Sequence, residues 1–91
     1  MPVVIQIPTP LRRFTGGRRT VTVEAHTVGA ALDELTGIFP DVRAGLQRPD
    51  GSLRSDARLF VGAEDIRGLG GLDTPVSDGD VIAIIPPVAG A

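Results

Sequence analysis

The apolar run "VIAII", Val81 to Ile85, constrains the fold more than any other stretch of this chain. Read with a period of two, Ile82 and Ile84 form one face, and Val81, Ala83 and Ile85 form the other. A strand on an edge with one face in water would alternate apolar with polar residues. This one is apolar on both faces, so it reads as a central strand covered on at least one face. The rest of the chain must therefore build a sheet around it.

Three other stretches supply that sheet. In "VVIQI", Val3, Ile5 and Ile7 share a face opposite Gln6, and Pro8 and Pro10 end the strand because proline cannot donate to a ladder. "TVTVE" alternates Val21 and Val23 with Thr20, Thr22 and Glu24. Gly16-Gly17 is a turn signal between the two, so they read as a β-hairpin. Arg58 to Val61 reads as a third strand that turns at Gly62.

Between the hairpin and the third strand the period changes. Val28, Leu32, Leu35 and Phe39 recur at helical spacing, and Ala31 and Ile38 widen the stripe. Thr27 suits the N-cap and Pro40 marks the stop. Gly29 and Gly37 oppose the helix by about 1 kcal/mol each relative to alanine. Residues 41–56 read mostly as loop, with a turn at Pro49-Asp50-Gly51 and with Val42 and Leu46 as anchors to the core. Residues 67–80 are turn-rich, with Leu69, Leu72 and Val76 as anchors and Gly79 supplying a positive φ in "SDGD". The expected class is α+β: a mixed sheet of four to five strands with one main helix packed across it. If the first and last strands lie side by side, the fold is a β-grasp, the ubiquitin-like architecture. The order of elements alone leaves that pairing open.

Composition narrows the chemistry. Phe14, Phe39 and Phe60 are the only aromatic residues, so the core must be aliphatic. The absence of cysteine removes disulfides, thiolate metal sites and cysteine nucleophiles. There is also no lysine and no tyrosine, and no serine sits in a recognisable catalytic constellation. A net charge of −2 is too small to steer a highly charged partner over long range. No apolar run approaches the roughly 20 residues of a spanning helix, and no basic-then-apolar leader opens the chain. The expectation is a cytoplasmic protein without membrane partners.

Individual residues have ordinary readings. His26 is the only histidine and has no partner cluster, so it reads as a solvated loop residue. Glu64-Asp65 and Asp78 with Asp80 lack the longer ligand series of a calcium loop, and no metal site is expected. Arg12, Arg13, Arg18 and Arg19 cluster around the first hairpin. With only Phe14 nearby to stack on a base, they read as a charged edge or a docking patch for an acidic surface, and nucleic acid is not expected. Gly16-Gly17 and Gly70-Gly71 lack the lysine and the strand–turn–helix setting of a phosphate loop.

The chain closes on "PPVAGA". Pro86 and Pro87 fix two φ angles and favour an extended path. Val88, Ala89, Gly90 and Ala91 follow with almost no side chain, and six extended residues reach roughly 20 Å at most. The chain thus divides into a domain over 1–85 and a flexible tail over 86–91. The tail is stiff at its base and thin at its tip, suited to carry a terminal carboxylate down a narrow channel. The ordinary alternative is a frayed end.

"DGDVIAIIPPVAGA" resembles the C-terminal signature of the ThiS/MoaD family of ubiquitin-like sulfur carriers, in which a D-G-D turn leads into the last strand and on to P-P-V-x-G-G. "IPTPLRRFTGG" and "LFVGAEDIRGLGGLDTPVSDGD" resemble the family's CysO branch, so the likeness spans nearly the whole chain. It implies a β-grasp and a protein that is not itself an enzyme. In the family, an ATP-dependent activating enzyme adenylates the terminal carboxylate, using ATP and magnesium, and sulfur then replaces AMP to give a thiocarboxylate. A sulfur-consuming synthase (cysteine synthase-like, thiazole synthase-like or one that makes a sulfur-containing natural product) takes that sulfur. On this resemblance Gly90 and Ala91 form the working end, and Pro86, Pro87, Val88 and Ala89 position it. Phe60 and Ile85 form a partner-docking patch, for which a better-filled core is the alternative. The family ends Gly-Gly where this chain has Gly90-Ala91. Three accounts stand open: activation of Gly-Ala as it is, removal of Ala91 by a metalloprotease, or an engineered exchange of a terminal glycine. The small subunit of molybdopterin synthase, a ubiquitin-like protein modifier and a plain interaction module are the competing roles.

Overall fold

The computed structural model describes residues 2–55 and 57–85. The expected tail over 86–91, with Pro86 to Ala91 as its working and positioning residues, lies outside them.

Strand β1 (Pro2–Gln6) pairs antiparallel with β2 (Thr20–Glu24), with Val3 opposite Val23 and Ile5 opposite Val21. The hairpin is as expected, but its connection is more than a glycine turn. Pro8 and Pro10 bring in a 3-10 helix over Thr9–Phe14, which buries Leu11. Gly16 and Gly17 then reverse the chain with φ of +65° and +84°, a region open to glycine without a Cβ penalty. The Thr15 side chain is fully buried there, with its hydroxyl 3.2 Å from the Arg12 carbonyl and 3.1 Å from that of Arg18.

Helix α1 spans Val28–Ile38. Thr27 caps it, its hydroxyl accepting from the Ala30 amide at 3.1 Å. Val28, Ala31, Leu32 and Leu35 are buried against the sheet. Ile38, expected to widen the stripe, is instead 54% exposed, since it occupies the final residue of the helix. Phe39 caps the C-terminus through its amide to the Leu35 carbonyl and packs partly on the core.

Residues 41–55 contain more regular structure than the expected loop. Pro40–Val42 forms a 3-10 turn and α2 spans Arg43–Leu46. Val42 and Leu46 are four residues apart, and a helical turn is what lets both reach the core, where each is at most 1% exposed. The Arg48–Gly51 turn follows, with Gly51 at φ +91°. The Asp50 carboxylate accepts from the Ser52 hydroxyl at 2.6 Å and from its amide at 2.9 Å, which holds its pKa below the ordinary value.

Strand β3 (Arg58–Val61) turns at Gly62 into β4 (Glu64–Asp65), a short fifth strand. Ile66 opens the next 3-10 turn and fills a core position at 1% exposure, which leaves Leu69, a predicted anchor, 44% exposed. Leu72 packs partly on the core and Val76 is buried, as expected. Buried Thr74 ties this crossover to α1: its carbonyl accepts from the Val28 amide at 3.0 Å.

The sheet closes on β5 (Val81–Ile85), and the strand order is β2-β1-β5-β3-β4. β5 lies parallel to β1, with Ile5 opposite Ile82, and antiparallel to β3, with Leu59 opposite Ile84. This is the pairing of first and last strands that the order of elements left open, and it makes the fold a β-grasp. Val3, Ile5, Val21, Val23, Leu59, Ile82 and Ile84 share the face beneath α1 and are all buried.

Ile82 is fully buried in the central strand, so Ile82→Ala should destabilise the domain by about 2–5 kcal/mol. A urea midpoint lowered with an unchanged slope is the expected reading. An unaltered midpoint would contradict the packing described.

Candidate functional site

Among the described residues, no helix lies over the opposite face of the sheet. Its side chains follow from the register. One row runs Thr22, Val4 and Val81; the next runs Thr20, Gln6, Ala83, Phe60 and Asp65; a third pairs Ile85 with Arg58. The middle of this face is apolar and partly exposed at Val4, Val81, Ala83 and Phe60, and 43% exposed at Ile85. Polar Thr20, Thr22 and Arg58 rim it and are exposed.

Ile85 is the last residue of β5, and the expected tail over 86–91 follows it in the sequence. The expected docking pair comes together at this point. Phe60 faces Ala83 and Ile85 faces Arg58, which makes Phe60 and Ile85 diagonal neighbours on one face, roughly 7–8 Å apart in an antiparallel pair. Ile85 is well exposed, whereas Phe60 is half-buried between Ala83 and Asp65. Val4, Val81 and Ala83 extend the patch. Alternation already puts Val81 and Ala83 on the face of Ile85, but that Val4 and Phe60 lie beside them depends on the register between strands.

Beside Ile85, on the β1 side, a shallow groove lies between the strand end and the hairpin connection. Arg12, Arg19, Pro8 and Ala83 are among its walls. Arg12 is held in place by donating its Nε to the Ile7 carbonyl at 3.1 Å. Arg13 lies with its guanidinium 4.7 Å from the centre of the Phe14 ring, and Phe14 packs partly on the core. The one aromatic near the arginine cluster is thus engaged within the fold.

Several other residues singled out from sequence serve the backbone. Asp80 accepts from the Ser77 amide at 2.8 Å and Asp65 from the Arg67 amide at 2.9 Å, each closing a turn. Among the described residues, no three histidine or acidic side chains group to hold a metal. The Gly70 amide donates to the Thr74 hydroxyl at 3.0 Å, and that hydroxyl donates to the Gly71 carbonyl at 2.7 Å, so this glycine pair closes a turn. His26 is exposed and contributes its carbonyl to the Val76 amide. Among the described residues, no helix is long and apolar enough to cross a membrane.

Comparison with known proteins gives this arrangement a setting. The model of the ThiS family matches residues 5–90. The sulfur carrier protein CysO of Mycobacterium tuberculosis is 38% identical over 92 aligned positions, covering 99% of each chain. CysO from Amycolatopsis orientalis, solved in a complex with BexX, superposes with a TM-score of 0.90 at 36% identity, over 98% of this chain and 99% of that one. The small archaeal modifier protein 1 of Haloferax volcanii superposes at 0.83 with 29% identity, over 96% and 98% of the two chains.

Ile85→Ala removes exposed apolar surface, so its unfolding free energy should stay within about 0.5 kcal/mol of the parent. If the patch docks a partner, the same variant should weaken that complex by about 1–2 kcal/mol in titration calorimetry. Unchanged affinity would count against the patch.

Proposed function

The chain belongs to the ThiS family, and from that premise we propose how it works as a sulfur carrier protein. The carboxylate at the end of the tail is the group that changes. An activating enzyme supplies ATP and magnesium; a carboxylate oxygen attacks the α-phosphorus and pyrophosphate leaves. A sulfur nucleophile then attacks the acyl carbon, the bond to AMP breaks, and a thiocarboxylate remains. A second enzyme draws sulfur from it for cysteine or another sulfur-containing metabolite. The carrier binds no cofactor of its own in this scheme and catalyses neither step. We place the exchange in the cytoplasm, where ATP is available.

The observation that carries this reading is the exposed root of the tail. β5 lies at the centre of the sheet, braced by β1 and β3, and ends at exposed Ile85 beside an uncovered apolar face. A rigid strand that ends beside a docking patch gives the residues after it a defined starting point. Position is what a carrier must supply when its partners supply the chemistry. The relative solved in complex with BexX supports a dedicated docking partner for this fold. Gly90 and Ala91 are the proposed working end, with Pro86 to Ala89 as its arm. Trimming of Ala91 by a metalloprotease is the proposed route if Gly-Ala itself is not activated.

A second reading, a protein modifier joined through its C-terminus to other proteins, is favoured by the likeness to the small archaeal modifier protein. The two separate on one measurement. Incubated with ATP, the activating enzyme and sulfide, a carrier should gain the mass difference between sulfur and oxygen. Conjugates of higher mass in cell extract would favour the modifier. If neither the full chain nor the form lacking Ala91 gains sulfur, the carrier mechanism is wrong.

The two prolines should also matter through entropy. Replacing Pro86 and Pro87 by glycine frees the arm, and the ordering cost this adds should lower kcat/KM for activation by about tenfold. An unchanged kcat/KM would show that arm stiffness contributes nothing.

A further inference from the structure

The topology sorts charge between the two ends of the sheet. β1 and β5 run in one direction, and β2 and β3 run in the other. The start of β2, the start of β3 and the connection after β1 therefore lie at the end where β5 finishes. Arg18 and Arg19 precede β2, Arg58 opens β3, and Arg12 and Arg13 belong to the connection. The opposite strand ends carry acids instead: Glu24 closes β2, Glu64 follows β3, and Asp78 and Asp80 precede β5. One acid, Asp65, closes β4 at the arginine end, where its carboxylate accepts from the Arg67 amide.

The arginines bracket the exposed apolar residue at the root. Arg58 is the cross-strand partner of Ile85, and Arg12 and Arg19 line the groove on its other side. Arg18, Arg19 and Arg58 are exposed. Asp41 from the helical layer lies apart, in a groove with Phe14, Arg43 and Arg48. A chain with a net charge of −2 thus presents a cationic rim at the end from which the tail departs.

We propose that this rim recognises the activating enzyme, and that the enzyme's tail channel opens through an apolar recess bordered by carboxylates. The inference rests on the carrier reading. The activating enzyme is chosen because activation is common to every sulfur acceptor that the carrier could serve. Charge complementarity selects the occupant: an apolar spot alone fits many surfaces, whereas one bracketed by guanidinium groups repels a basic surface and orients on an acidic one. Net charge gives little steering, but a charge-segregated molecule is turned tail first as it approaches. Arginine suits the task, since its planar fork pairs with carboxylates bidentately and stays charged at any physiological pH.

The test is stopped-flow association of the full chain with its activating enzyme across a series of salt concentrations. Association should slow as salt rises, over a range set by a Debye length of about 8–10 Å near physiological strength. Arg19→Glu with Arg58→Glu should slow association at low salt by about tenfold or more, and should converge on the parent at high salt. Arg19→Lys with Arg58→Lys should recover most of the rate. Glu64→Gln with Asp78→Asn, at the far end, should leave it within about twofold. Circular dichroism confirms that each variant is folded. If the glutamate pair associates as fast as the parent at low salt, the proposal is overturned. It is equally overturned if salt acts on all variants alike. Sulfur gain at saturating enzyme is read in parallel: a parent that gains sulfur with charge-insensitive association defeats only this inference, whereas a parent that never gains sulfur defeats the carrier mechanism.

Discussion

The parallel pairing of β1 with β5 is the constraint on which everything else depends. It joins the first and last strands of the domain through Val4–Val81, Ile5–Ile82 and Gln6–Ala83. Parallel neighbours cannot be linked by a tight turn, so the intervening chain has to cross over, and it does so through β2, α1, α2, β3, β4 and the turns between them. The pairing also puts β5 at the centre of the sheet, where ladders on both sides hold it. A terminal segment would ordinarily fray. Here the last strand is among the best-braced parts of the molecule, with Ile82 and Ile84 in the core and Ile85 outside it.

That bracing shapes how the carrier works. In the proposed mechanism its partners contribute nucleotide, metal and reacting groups, and the domain contributes a rigid launching point and a surface. The two faces of the sheet divide the labour. One lies under α1 and provides stability through aliphatic packing alone. The other carries a small, partly exposed apolar patch, which the proposed mechanism uses for recognition. Because both faces are read from one set of strands, a one-residue slip in register would put the residues of the open face in the core and the core residues in solvent. The strong alternation in β1 and β2 guards against that slip.

Much of this is legible in the sequence. The alternation in Val3–Ile7 and Thr20–Glu24, the helical spacing from Val28 to Leu35, the Thr27 cap and the central character of Val81–Ile85 all held. The differences arise where the chain is short of periodicity. The 3-10 helix after Pro8, the helical turns at Pro40–Leu46 and the two-residue β4 are too brief to leave a pattern. Ile38 and Leu69 looked like anchors because they are large and apolar. Each lost its place to a neighbour better placed by geometry, Phe39 and Ile66 respectively.

The sequence by itself determined which residues share a strand face, where the helix starts, and that the final strand is central, because each of these is a local matter of side-chain period and backbone preference. It also carried the family resemblance, through motifs that run in order along the whole chain. Only the tertiary structure decided that Phe60 and Ile85 meet, that Val4, Val81 and Ala83 join them, and that Arg12, Arg19 and Arg58 gather at one end of the sheet. Phe60 and Ile85, Val4 and Val81, and Arg19 and Arg58 are far apart in sequence. Their meeting depends on strand order, direction and register, which are settled by the packing of the whole chain and not by any segment of it.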